Sequence, residues 1–132
     1  ITMTKTLSKQ SEIQRARNRW VMSLSNNLYE NNFIDRKEAK RLADMAWTLV
    51  EALGRGVVTF RYLKRDGTLR IARGTLMRGI DREFDAYVLK GSKHREGNEN
   101  TDGRYTYWDL MLREFRSFRA VNLLGIDDIV IK

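Results

Sequence analysis

The feature that most constrains the fold is residues 57–76, which read VVTFRYLKRDGTLRIARGTL. Two runs rich in β-branched and aromatic residues flank the dipeptide Asp66-Gly67. Such runs favour a pleated, half-buried surface, and an Asp-Gly pair supplies the positive φ angles that a tight type I′ turn requires. The segment therefore predicts a β-hairpin, around which the rest of the chain has to pack.

The residues before this hairpin carry two helical patterns. The first is an apolar stripe at helical spacing, made of Ile13, Ala16, Trp20, Val21, Leu24 and Leu28. We predict a helix over residues 12–30, opened by a capping box at 11–14 and preceded by a frayed polar start. A second capping box at residues 35–38 and a second stripe predict another helix, which ends at Gly54. Because the loop between them is short, the two helices should form an antiparallel hairpin that covers the β part.

Four short segments after the β-hairpin predict further strands. They are residues 84–90, 104–110, 115–121 and 126–131. The intervening residues 91–103 are polar and glycine-rich, which indicates a mobile loop. Five or six short strands in so few residues favour a small barrel over an open sheet. The chain thus divides into a helical hairpin over 1–56 and a β-barrel over 57–132, which together form one compact unit.

Charge and cysteine content narrow the class of partner. Lys and Arg number 25 against 17 Asp and Glu, so the net charge is +8, which favours polyanions such as nucleic acid. A merely solvated surface explains the same excess. The chain has no cysteine, and no run approaches the roughly 18 to 20 apolar residues that span a bilayer. We therefore expect a cytoplasmic protein without disulfides and without a membrane partner.

Several short pieces of the β part occur together in a known family. They are Thr59-Phe60, Asp66-Gly67, Arg70, Ala72, Gly74-Thr75-Leu76, Tyr107-Trp108-Asp109-Leu110 and Arg116-Ser117-Phe118-Arg119. On these pieces, residues 57–126 resemble the WYL-like proteins of Sm/SH3 β-barrel fold, an uncharacterised family of Bacteroidetes and their mobile elements. The resemblance implies a Sm/SH3-like β-barrel for this part and does not cover the two predicted helices before it. Together with those helices, we expect an α+β protein in which an N-terminal two-helix hairpin packs on a small five- or six-stranded Sm/SH3-like β-barrel. The resemblance also implies recognition of nucleic acid or nucleotides, with Arg70, Arg116 and Arg119 at basic positions of the family. YWDL stands in place of the WYL tripeptide, and no winged helix-turn-helix precedes the barrel.

Arginines and one tryptophan of the β part are the candidate nucleic-acid-binding residues. They are Arg61, Arg70, Arg73, Arg116, Arg119 and Trp108. Arginine binds phosphate through two parallel hydrogen bonds, and exposed aromatic rings stack on bases. The alternatives are that the aromatic rings fill the barrel core and that the arginines are solvated or paired with acids. Strand alternation places Arg116 on the face of Phe118, where it would pair with Asp109, whereas Arg119 points outward.

No pattern in the sequence indicates catalysis. The single histidine, His94, lies in the polar loop, and zinc needs several nitrogen or sulfur ligands. There is no Walker A loop, no GxGxxG and no GxSxG motif, so we expect neither an enzyme nor a cofactor. The first hypothesis is a non-catalytic nucleic-acid-binding accessory protein of a bacterial or phage mobile element. The alternatives are a protein-interaction or structural module, with a protein partner or as a homo-oligomer, and a sensor that holds a nucleotide against Arg116 and Arg119.

Overall fold

The computed structural model describes residues 2–89 and 100–132, with side chains for residues 8–88 and 100–132. The predicted loop over 91–103 lies mostly outside the described residues, and His94 lies wholly outside them. None of the described helices is long and apolar enough to cross a bilayer.

Two long helices open the chain, as predicted. Helix α1 spans Thr2–Asn31 and helix α2 spans Arg36–Leu53. The start of α2 is confirmed, because the Asp35 carboxylate accepts a hydrogen bond of 2.7 Å from the Glu38 amide. The predicted start of α1 is wrong. Its helix continues through the supposed capping box to Thr2, because no Gly or Pro interrupts residues 2–30 and each further residue adds a hydrogen bond once a helix has formed.

The β-hairpin is confirmed, although its turn differs from the prediction. Strand β1 spans Gly56–Leu63 and pairs antiparallel with β2, which spans Leu69–Thr75. The Lys64 carbonyl accepts from the Gly67 amide at 2.9 Å, and the Lys64 amide donates to the Thr68 carbonyl at 2.8 Å. Within this turn, Gly67 alone has a positive φ, of 84°. The connection is thus a three-residue loop that ends in a left-handed glycine, and not a two-residue type I′ turn.

The strand predicted over residues 84–90 is wrong, because this segment forms helix α3, Arg82–Leu89. The Asp81 carboxylate accepts hydrogen bonds from the amides of Glu83 and Phe84 and so caps the first turn. One turn further on, Tyr87 lies on the same helical face as Phe84, and both rings contact Trp108. The capping carboxylate and the helical spacing of these two rings outweigh the strand propensity of the segment.

Three more strands complete one antiparallel sheet. They are β3, Arg104–Asp109, β4, Glu114–Arg119, and β5, Leu123–Ile131, with a single 3-10 turn at Ala120–Asn122 between the last two. The strand order is β4-β3-β2-β1-β5, so β4 and β5 are the two edges. The predicted closed barrel is therefore corrected to a five-stranded sheet that does not close. Strands β2 and β3 pair only at Gly74 with Asp109 and at Thr75 with Trp108, and beyond these two pairs they separate.

One hydrophobic core joins the helices to the inner face of the sheet. Leu24, Leu49 and Leu53 of the helices are buried in the same cluster as the sheet residues Phe60 and Tyr107. At the junction, the ring of Trp20 lies 5.5 Å from that of Trp47 and 5.6 Å from that of Tyr105. The helical hairpin therefore packs on the inner face of the sheet. The part of the sheet where β2 and β3 separate is open to solvent.

Candidate functional site

A cleft opens where the tip of the β1–β2 hairpin faces strand β4. It consists of two adjoining hollows of about 480 Å³ and about 310 Å³. Tyr62, Lys64, Arg65 and Ser117 line both hollows, which makes the cleft continuous. The cleft exists because β2 leaves β3 after two residue pairs and carries the hairpin tip away from β3 and β4.

The walls of this cleft are strongly basic. Its cationic residues are Lys64, Arg65, Arg70, Arg104, Arg116 and Arg119. Among residues 8–88 and 100–132, Asp102 is the single acidic residue that lines either hollow. Six cations around one carboxylate create a positive potential that the partly enclosed walls concentrate.

Two of these arginines stand directly opposite each other on neighbouring strands. Arg104 of β3 pairs in register with Arg119 of β4, and both are exposed. Like charges at directly opposed positions destabilise a sheet unless a counter-charge lies between them. An anion bound between Arg104 and Arg119 would therefore relieve their repulsion.

Arg116 differs from the other cations because acidic neighbours hold it. Its Nε lies 3.5 Å from Asp109 Oδ2, and its terminal nitrogen lies 2.6 Å from Glu114 Oε1. Asp109 is buried, and its other oxygen accepts from the amides of Met111 and Leu112. The predicted pairing of Arg116 with Asp109 is confirmed, and the charge of Arg116 is largely compensated.

The other five cations of the cleft have no acidic partner among the described side chains. Within residues 8–88 and 100–132, no carboxylate lies within 4 Å of a charged nitrogen of Lys64, Arg65, Arg70, Arg104 or Arg119. The free positive charge of the site thus belongs to the hairpin tip and to the outer ends of β3 and β4.

A pair of tyrosines lies beneath these cations. The hydroxyl groups of Tyr62 and Tyr107 are 2.7 Å apart, and both side chains are buried. Burial and the hydrogen bond to Tyr62 raise the pKa of the Tyr107 phenol above its ordinary value. The Tyr107 phenol therefore stays protonated at neutral pH, so it adds no negative charge to the floor of the cleft.

Half of the sequence-predicted binding residues meet in the cleft. Arg70, Arg116 and Arg119 line it, whereas Arg61 and Arg73 lie on the opposite, outward face of β1 and β2. Arg61 is also paired there, with its Nε 2.9 Å from Asp127 Oδ2.

Trp108, the sixth of them, lies away from the cleft and is only 1% exposed. The rings of Phe84, Tyr87 and Phe115 surround it, so it presents no face to a base. Its position follows from α3, which covers the outward face of β3 and β4 and which the sequence did not predict.

Lys64, Arg65 and Arg104 line the cleft but were missed by the reasoning from sequence. A signal for the first two exists, because Lys64-Arg65 directly precedes Asp66-Gly67 and the turn must expose them. Arg104 has no comparable signal, since its place depends on the register of β3 with β4. No group of His, Cys, Asp and Glu among the described residues could hold a metal ion.

Comparison with known proteins identifies a family. The family model WYL_2, Sm-like SH3 beta-barrel fold, matches residues 46–124, which is more than half of the chain. No curated protein and no solved structure matches the chain. The match begins within α2 and ends at the start of β5, so it includes both walls of the cleft. The chain therefore belongs to the WYL_2 family of Sm-like, SH3 β-barrel fold proteins.

Proposed function

We propose that this protein is a non-catalytic nucleic-acid-binding protein and that the basic cleft holds the phosphate backbone. The observation that carries the proposal is that, among the described side chains, six cations from three separate segments gather around one carboxylate. Five of them lack an acidic partner among the described side chains, so their charge is available to a polyanion.

The chemistry of the lining favours phosphate contacts over the reading of bases. Arg65, Arg104 and Arg119 offer planar guanidinium groups that match phosphate oxygens. The aromatic lining consists of Tyr62, Phe115 and Phe118, of which Tyr62 and Phe118 are at most 3% exposed. Little ring surface is left for stacking, so we expect binding with weak sequence preference and strong salt dependence.

Fluorescence anisotropy with labelled single- and double-stranded oligonucleotides tests the proposal. If the cations of the cleft contact phosphates, affinity should fall by about two to three orders of magnitude between about 50 and about 200 mM salt. Arg65→Glu and Arg119→Glu should each weaken binding by about tenfold or more.

The matched control is Arg78→Glu, because Arg78 is exposed and does not line the cleft. It changes the net charge by the same amount, so it separates a local contact from the overall charge. Equal losses in all three variants, or no binding at low salt, would contradict the proposal.

A protein-interaction module is the second candidate, and the open edge of the sheet is the observation that favours it. Strand β4 has a neighbour on one side only, and its residues Ser117 and Arg119 line the cleft. An extended acidic peptide could add there as a further strand. Titration with an acidic peptide and with an oligonucleotide of equal charge distinguishes the two candidates, since strand addition predicts tighter binding of the peptide.

A further inference from the structure

The outward face of strands β1, β2 and β5, here called the outer wall, exposes apolar side chains. Ile71 is 60% exposed and Leu69 is 52% exposed, and both point away from the core. The solvated face of an antiparallel sheet is normally polar, and contiguous apolar surface commonly marks an interface. The apolar part of the outer wall is therefore a candidate interface.

Charges on the same wall indicate what that partner is. Thr59 of β1 pairs in register with Arg73 of β2 on one side and with Asp128 of β5 on the other. Residues directly opposed in a sheet share a face, so these three side chains form one row across the wall. Arg73 and Asp128 stand two strand spacings apart, roughly 10 Å, and they form no ion pair with each other.

When two outer walls stack face to face, the two-fold axis lies in the plane between them. An axis perpendicular to the strands would set Arg73 against Arg73, whereas an axis parallel to β1 makes the row self-complementary. Rotation about this parallel axis places strand β2 of one copy over strand β5 of the other. Arg73 of each copy then faces Asp128 of the other, so the pair occurs twice. Thr59 lies at the centre and faces its own equivalent. An isologous contact requires a self-complementary surface. A positive and a negative charge placed symmetrically about the central strand meet that requirement.

The next row fits the same operation. Arg61 is central there, between Ile71 of β2 and Gly125 of β5. Its guanidinium lies over Gly125, where a Cβ would come within 2.5 Å of it, and it is neutralised by Asp127. The two-fold axis then sets Ile71 of the second copy against the Arg61–Asp127 ion pair that covers Gly125, and not against an unpaired charge.

We infer that two copies of this chain associate through their outer walls. Three strands and six residue steps give a footprint of roughly 14 by 20 Å, which is smaller than the about 800 Å² per partner that is typical of stable complexes. The dimer is therefore weak and forms only at high protein concentration. Neither Arg73 nor Asp128 lines the basic cleft, so the inference stands independently of nucleic-acid binding.

Sedimentation velocity over a range of concentrations tests the inference on the full chain. The wild-type protein should sediment as a monomer when dilute and as a dimer when concentrated. Arg73→Asp and Asp128→Arg should each raise the dissociation constant by about tenfold or more, since each sets two pairs of like charges against each other. One substitution lowers the net charge and the other raises it, so an effect of overall charge would act on them in opposite directions.

The decisive measurement mixes the two variants. In a mixed dimer, the carboxylate introduced at position 73 of one copy faces the guanidinium introduced at position 128 of the other, and the unchanged Arg73 faces the unchanged Asp128. At a concentration at which each variant alone is monomeric, dimers should therefore reappear in the mixture. Arg78→Asp, a reversal outside the wall, should dimerise like the wild type, and circular dichroism checks that every variant is folded. A wild-type protein that stays monomeric, single variants that dimerise as tightly as the wild type, or a mixture no tighter than either variant would each overturn the inference.

Discussion

The phenolic oxygens of Tyr62 on β1 and Tyr107 on β3 lie 2.7 Å apart, although these strands are not neighbours in the sheet. Strand β2 lies between them and has already separated from β3 at this level. The hydrogen bond thus joins the two parts of the sheet below the cleft. Together with the packed rings of Phe60 and Phe118, this hydrogen bond holds the β1–β2 hairpin at a fixed distance from strands β3 and β4, which form the other side of the cleft.

The first prediction concerns this hydrogen bond. Tyr62→Phe leaves the Tyr107 hydroxyl buried without a partner, which should lower the free energy of unfolding by about 1–3 kcal/mol. The double variant Tyr62→Phe with Tyr107→Phe should recover part of that loss, because no unpaired hydroxyl remains. Urea denaturation measures both, and Tyr87→Phe, at a site 47% exposed, should be close to neutral. Additive losses in the double variant would contradict the pairing.

The second prediction concerns alkaline pH. Burial raises the pKa of both Tyr105 and Tyr107, so the folded protein keeps these protons where the unfolded chain loses them. Their contribution to stability is complete below about pH 10 and is lost as the pH rises further. Urea unfolding from about pH 9 to about pH 11 should show this decline, and it should be shallower in Tyr107→Phe than in the wild type. Equal slopes would contradict the assignment to Tyr107.

The third prediction concerns Gly74, which lies where β2 still pairs with β3. A Cβ at this position would lie 2.5 Å from a ring carbon of Tyr107 and 3.0 Å from the Trp108 carbonyl oxygen. Gly74→Ala should therefore destabilise the protein by about 1–3 kcal/mol. At Gly54, the nearest atom to an added Cβ is 3.6 Å away and φ is −76°, so Gly54→Ala serves as the matched control. Comparable thermal-unfolding midpoints for the two variants would refute the steric argument.

The fourth prediction concerns the cap of α3. Burial raises the pKa of Asp81, but hydrogen bonds from the Phe84 amide and from Arg113 outweigh it and hold the pKa below its ordinary value. Asp81→Ala should cost about 1–2 kcal/mol at neutral pH, and Asp81→Asn, which can still cap the helix, should cost less.

The stability of the protein at acid pH tests whether the charge of Asp81 contributes. A carboxylate with a lowered pKa contributes its stability above about pH 4 and loses it as the pH falls through the folded-state value. The difference in unfolding free energy between wild type and Asp81→Ala should therefore narrow below about pH 4 in urea titrations. A difference independent of pH would show that the charge of Asp81 does not contribute.

Local sequence patterns predicted the elements that depend on interactions between residues close in sequence. Helix α2 with its Asp35 cap, the hairpin around Asp66-Gly67 and the strands β3 and β4 all follow from spacing and propensity within short windows. The segment over 84–90 was misjudged because its strand propensity and its helical spacing point to different structures. The contacts of Phe84 and Tyr87 with Trp108 favour the helix. They join residues about 20 positions apart in the chain, so a short window of sequence does not contain them.

By itself, the sequence determined a basic α+β chain with two helices, a central hairpin and a set of arginines on alternating strand faces. Only the tertiary structure decided which cations meet. It joined Lys64 and Arg65 at the hairpin tip to Arg104 and Arg119, it buried Trp108 under α3, and it separated Arg73 from the cleft. The reason is that alternation fixes the face of a side chain within one strand, whereas the register between strands and the separation of β2 from β3 depend on packing along the whole chain.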